Sequence, residues 1–207
     1  MRPRFYNFNC RESNALDLRQ AEAVLKYEPD IIFLEYPNNN KTLRPIKKPT
    51  KKFSPRALRA SPWAKSDLIM WKNIEYLWKK GLKTKVYAVD GPSELTEQFK
   101  LAWHNTYPCA AKNWFWWVRV YLRERMMSTQ INQVLKKYKE KNNPTVLIFL
   151  QNFHWQHVKF LLKKPSKEKV WKYYFGDFEK EITKKEVPKT LKRESDIFYK
   201  YWQKFPL

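Results

Sequence analysis

Residues 145–150 read Thr-Val-Leu-Ile-Phe-Leu, and Gln151, Asn152, Phe153 and His154 follow at once. An apolar run this short and this pure fits a strand covered on both faces, the kind that parallel sheets contain. Val158, Phe160, Leu161 and Leu162 then supply the apolar face of a short helix. His154 therefore stands where a central strand hands over to a helix. That is the carboxyl end of a parallel sheet, where α/β proteins place their sites. The positive end of a helix dipole at that point favours the neutral imidazole that a base or a metal ligand requires.

Other segments fall into the same alternation. Phe5 to Cys10 reads as a first short strand, Asp30 to Glu35 (Asp-Ile-Ile-Phe-Leu-Glu) as a second buried strand, and Lys85 to Asp90 as a third. A helix over 15–27, with Leu18, Ala21 and Leu25 on one face, is broken by Pro29. Ser61-Pro62 opens another helix, serine as cap and proline at the first position, which runs to about Lys80 and stops at Gly81. Ser93 with Glu97 nearby suggests a further helix start, and a long helix covers roughly 112–140. After the helix that ends near Leu162, Val170 to Phe175 reads as a last strand. Lys192 to Lys204 reads as a terminal helix with Ile197, Phe198, Tyr201 and Trp202 on its apolar face. Strand and helix in turn imply an α/β fold, a mostly parallel sheet with helices on both faces. The expectation is a single domain over 1–207, with a basic loop at about 38–60 and a basic C-terminal extension at about 164–207.

Charge is the second constraint. Forty-two Lys and Arg face 20 Asp and Glu, a net +22. Residues 37–60 hold eight of these cations, four prolines and no acid, which reads as a loop or arm. Such a balance points to RNA or another polyanion, with Lys47, Lys48, Lys51 and Lys52 as phosphate contacts. The bland alternative is a lysine-rich solvated surface. Only three glycines occur, at 81, 91 and 176, too few for a glycine-rich phosphate loop or a dinucleotide fingerprint. Two cysteines, Cys10 and Cys109, make neither a disulfide scaffold nor a zinc ribbon. No window is apolar enough to span a membrane, and Met-Arg-Pro-Arg-Phe-Tyr-Asn lacks the apolar core of a signal peptide, so the expected place is the cytoplasm.

Polar groups gather at the strand ends: Glu12 after the first, Glu35 at the end of the second, Asp90 at the end of the third, and His154 beyond the fourth. On the long helix, Val120, Met127, Ile131, Val134 and Tyr138 define a buried stripe. Arg123 and Glu124 flank it, within about 60° of its centre. A charge on an inward face needs a partner, and Glu12 and Glu35 are the candidates for Arg123. His154-x-x-His157 could hold a metal if Glu12 or Glu35 supplied a third ligand; otherwise His157 is a surface residue. Asn113-Trp114-Phe115-Trp116-Trp117 could stack bases, wall a pocket or fill the core. A restriction-type nuclease is set aside, because Pro37 stands where the Glu-x-Lys step needs lysine.

Four of these elements together resemble the erythromycin esterase/ChaN-like family. Glu12-Ser13-Asn14 sits where that family has Gly-Glu-x-His, and Glu35 looks like the acid ending its second strand. Arg123 to Ile131 (Arg-Glu-Arg-Met-Met-Ser-Thr-Gln-Ile) is similar to its Arg-Asp-x-x-Met-Ala-x-Asn helix, and Thr145 to Leu162 to its late strand, histidine and helix. The related TraB and TIKI proteins share that last element, and the order of elements fits over 5–162. The chain departs at Arg11 and Asn14, where the family has glycine and histidine, and at Gln151, where it usually has glycine. Asn14 can hydrogen-bond but cannot act as a base. The resemblance implies a divergent hydrolase-like protein, esterase-like or metal-assisted. His154, Glu12, Glu35 and Arg123 would be its catalytic residues, and His154, Glu12 and Glu35 the candidate ligands of a divalent metal ion. The alternative is a non-catalytic basic protein of the same fold that binds RNA or another polyanion.

Overall fold

The computed structural model describes residues 4–7, 18–38, 43–49, 54–60, 62–95, 97–98, 113–138 and 143–207. They divide between two compact units: Met1–Tyr36, Asn40–Val89 and Gln133–Gln156 in the first, and Pro37–Asn39, Asp90–Asn132 and His157–Leu207 in the second.

The first unit is built on a parallel four-stranded sheet, so the fold is α/β. Its strands are β1 (Arg4–Asn7), β2 (Ile31–Pro37), β3 (Lys85–Asp90) and β4 (Thr145–Phe149), in the order β1-β4-β2-β3. The apolar run lies at the centre, with Phe5 opposite Val146 on one side and Ile32 opposite Leu147 on the other. Asp30 fastens the start of β2 to β4: its amide donates to the Thr145 carbonyl and its carboxylate accepts from the Thr145 amide, both at 3.0 Å.

Alternation along the strands sorts their side chains. Ile32, Leu34, Val86, Ala88, Leu147 and Phe149 pack against Ala21 and Val24 of helix α1 (Leu18–Tyr27). Met70, Trp71, Ile74 and Leu77 of helix α3 (Pro62–Lys79) complete that layer. Asn73 ties the two helices by donating to the Ala21 carbonyl at 3.1 Å. Ile31, Phe33, Val146 and Ile148, which point the other way, are equally buried, so both faces of β2 and β4 are covered. Gly81, at φ +86°, ends α3 in the left-handed conformation that glycine adopts without strain; the Leu82 amide then closes on the Leu77 carbonyl at 3.1 Å.

The stretch 37–60, read as loop or arm, has more structure than that. Helix α2 covers Pro55–Ala60, and the Leu58 amide donates to the Ser54 carbonyl at 3.0 Å. Ser54-Pro55 carries the same start signal as Ser61-Pro62. Ile46 forms an antiparallel bridge to Val86, its amide 2.8 Å from the Val86 carbonyl.

The second unit is helical. It takes in most of α4 (Trp114–Lys137) and α5 (Asn152–Leu162), then α6 (Lys167–Phe175), a 3₁₀ turn at Gly176–Phe178, α7 (Glu186–Glu194) and α8 (Asp196–Lys204). Two expectations are corrected here. Val170 to Phe175 is helix, not strand: Ser166 caps it by accepting from the Lys169 amide at 3.3 Å, and Val170, Trp171, Tyr174 and Phe175 recur at helical spacing on its buried side. The terminal helix is two helices. Ser195 is extended, at φ −164° and ψ 106°, and its hydroxyl accepts from the Phe198 amide, so it starts α8 rather than continuing α7.

Candidate functional site

β2 delivers Glu35 and the β4–α5 junction delivers His154, both in the first unit. The Gln151 amide donates to Glu35 Oε2 at 2.8 Å. That bond fixes the carboxylate where the chain leaves β4, a charge-assisted contact stronger than a neutral one. The same residue starts the helix, the Trp155 amide reaching the Gln151 carbonyl at 2.9 Å. His154 falls in the first turn of α5, buried, with Nε2 at 3.8 Å from Glu35 Oε1. This separation is just beyond a direct hydrogen bond, and such contacts in free enzymes tighten when a substrate arrives. A carboxylate beside a buried imidazole can orient the ring and balance its charge while it accepts and returns a proton. Glu12 lies outside the described residues. Among the described residues no three His, Cys, Asp or Glu side chains gather as a metal cage. Glu35 and His154 offer two donors of suitable kind for a divalent ion.

Arg123 is buried, as its place on the helix predicts, and its carboxylate partner is Asp90. Nε donates to Oδ1 at 2.8 Å and Nη2 to Oδ2 at 2.6 Å, a bidentate pair within the second unit. The Gly91 amide adds a third bond to Asp90 Oδ1 at 2.7 Å. The sequence marked Asp90 as a strand end, but the partners it proposed for Arg123 were Glu12 and Glu35.

Glu124 is fully buried and accepts from the Tyr174 hydroxyl at 2.8 Å. His157 is no surface residue: Nδ1 lies 3.8 Å from Glu124, and its ring stacks on Tyr174 with centroids 5.5 Å apart. The histidine spacing and the inward angle of Glu124 were visible in the sequence. Tyr174 was hidden by the reading of its segment as a strand. Burial pushes the His157 ring from 6.5 down to about 4. Below pH ~6.5 the unfolded chain binds a proton that the folded chain refuses. His157 therefore contributes stability in full above that value, and the contribution is lost as pH falls toward about 4. The slope is at most about 1.4 kcal/mol per pH unit, less what partial solvation and Glu124 return. Urea melts at pH 7 and pH 5 should show a smaller loss for His157→Gln than for the natural chain; equal losses would refute the assignment.

The tryptophan-rich start of α4 is interior to the second unit. Trp116 is buried, Trp117 meets His157 and Tyr174, and Phe115 meets Phe198. Arg119 lies over Phe115 and Phe198 at 4.6 and 5.0 Å, and its Nε is buried without a hydrogen bond among the described residues. Of the lysines expected to touch phosphate, Lys47 and Lys48 are exposed, and Lys51 and Lys52 lie outside the described residues.

Fold and site together define a parallel α/β protein with an imidazole–carboxylate pair at the carboxyl end of its sheet. Comparison with models of protein families, with curated proteins and with solved structures finds no match. Among the described residues no helix is long and apolar enough to cross a membrane.

Proposed function

We propose that this chain is a divergent hydrolase-like protein of the erythromycin esterase/ChaN-like kind, with Glu35 and His154 as its working pair. The 3.8 Å approach of the two side chains, with Glu35 fixed by the Gln151 amide, carries this reading. In it His154 takes a proton from the attacking water and returns it to the leaving group, while Glu35 orients the ring and balances the imidazolium. Arg123, gripped by Asp90, keeps its own unit in order. The metal-assisted form of the reading adds Glu12, because two carboxylates and an imidazole suit zinc or manganese. The test is hydrolysis of p-nitrophenyl acetate and butyrate, with and without added Zn²⁺ or Mn²⁺. Turnover that disappears in His154→Gln is expected. No turnover of either ester, or equal turnover by that variant, would sink the reading.

A second reading is favoured by the charge: binding of RNA or another polyanion. Its support is the net +22 and the exposure of Lys47 and Lys48. Binding by counterion release should weaken on the order of 10³-fold or more between 50 and 200 mM salt if six or more phosphates are contacted. Filter binding at the two salt levels, for the natural chain and for a variant with Ser at 47, 48, 51 and 52, measures it. Binding that ignores salt would contradict it.

A further inference from the structure

Four cations share a cavity with one indole in the first unit. Arg44, Lys47, Lys83 and Lys85 line a cavity of about 590 Å³ together with Trp78 and Thr84, and among the described residues no carboxylate lines it. None of the four has a carboxylate partner among the described residues. Like charges around one cavity repel one another, and an anion among them relieves that repulsion. The volume is in the range of small-molecule sites and leaves room for more than a lone inorganic ion.

The walls are fixed by backbone. The bridge from Ile46 to Val86 sets Arg44 and Lys47 beside the first residues of β3. The Trp78 indole N–H donates to the Thr84 carbonyl at 2.8 Å, and the Thr84 hydroxyl donates to the Pro29 carbonyl at 2.6 Å. With its only donor committed, Trp78 has ring carbons left to offer a ligand. Trp71 braces it edge-on at 6.3 Å. The cavity therefore pairs multiple positive charge with an ordered aromatic wall. Because β3 begins at Lys85, it lies at the amino end of the parallel sheet, the end opposite Glu35 and His154. Its ligand is thus not the substrate of that pair.

We propose that this cavity binds a nucleoside phosphate, either free or as one residue of a single-stranded nucleic acid. The phosphates meet Arg44, Lys47, Lys83 and Lys85, and the base lies against Trp78. Aromatic contact accepts any base, while the cations read only charge, so the site has little sequence preference. The proposal rests on the polyanion reading and gives it a place in the fold.

The experiment is calorimetric titration at low salt with four probes: ATP, tripolyphosphate, a ten-residue oligouridylate and heparin. ATP should bind at least about tenfold tighter than tripolyphosphate, a modest share of what base–aromatic stacking supplies. Lys83→Ser with Lys85→Ser, both exposed positions, should weaken ATP and the oligonucleotide by about tenfold or more. Arg44→Ser with Lys47→Ser should do the same. A Lys185→Ser with Lys192→Ser variant, both exposed positions outside the cavity lining, should keep ATP affinity within about twofold of the natural chain. Tighter binding of the oligonucleotide than of ATP assigns the source to a strand, and the reverse assigns it to a free nucleotide. Tripolyphosphate binding as tightly as ATP, or ATP affinity untouched by both cavity variants, overturns the proposal. Heparin bound while ATP and the oligonucleotide are ignored also overturns it and leaves the polyanion reading standing. Failure to bind heparin as well ends both.

Discussion

Arg123→Ala is expected to cost the folded chain about 3–5 kcal/mol, the usual result of stranding one member of a buried ion pair. Asp90 is 2% exposed and would lose two charge-assisted bonds, keeping that from the Gly91 amide. Arg123→Lys should fall between, because an ammonium cannot make the bidentate fork. The combined change Arg123→Met with Asp90→Asn should recover much of the loss: it removes both charges, and Asn still accepts from Gly91. Chemical denaturation of the four proteins measures this. A cost below about 1 kcal/mol for Arg123→Ala would mean that the pair is solvated after all.

The second large effect concerns rate. If the chain hydrolyses esters as proposed, His154→Gln and Glu35→Gln should each lower that rate by about 10²- to 10⁴-fold, the range that a positioned acid–base group supplies. Gln at 35 keeps an oxygen for the Gln151 amide and removes only the negative charge, so it tests charge apart from position. The two residues act as a unit, so the double variant should be about as slow as the slower single variant. Multiplying losses would show that they work separately. A Glu35→Gln variant at full speed would remove Glu35 from the proposed pair, and a His154→Gln variant at full speed would leave His154 a buried histidine of the core.

The elements that carry this site were legible because their signals are local. A pure apolar run can only be a covered strand or a buried helix segment, and its length decides between them; the same holds at 31–34 and 86–89. Arg123 and Glu124 were readable as inward charges from the helical period alone. Their partners were not, because pairing depends on which strand end meets which helix turn, and several acids were on offer. Val170 to Phe175 failed for a different reason. A run of Val, Trp, Tyr, Tyr and Phe has strand propensity, but Ser166 caps the segment and its buried positions follow the helical repeat, so tertiary burial overrode propensity. The break at Ser195 was missed because one apolar stripe suggested one helix. The basic cavity was invisible for the reason that Arg123's partner was: Lys83 and Lys85 lie far in sequence from Arg44 and Lys47, and only the Ile46 bridge brings them together.

That bridge has a consequence beyond ligand binding. β3 is one of the two edge strands of the sheet among the described residues, and free amides and carbonyls on such an edge are a template on which another copy of the chain can add its own strand. Ile46 occupies the Val86 carbonyl at this rim, while Lys83 and Lys85, with Arg44 and Lys47 lining the same cavity, are exposed and carry positive charge around it. A second copy approaching this side meets the same charges that it carries. The cations that line the cavity thus also hold neighbouring copies apart, guarding this edge of the sheet against self-assembly.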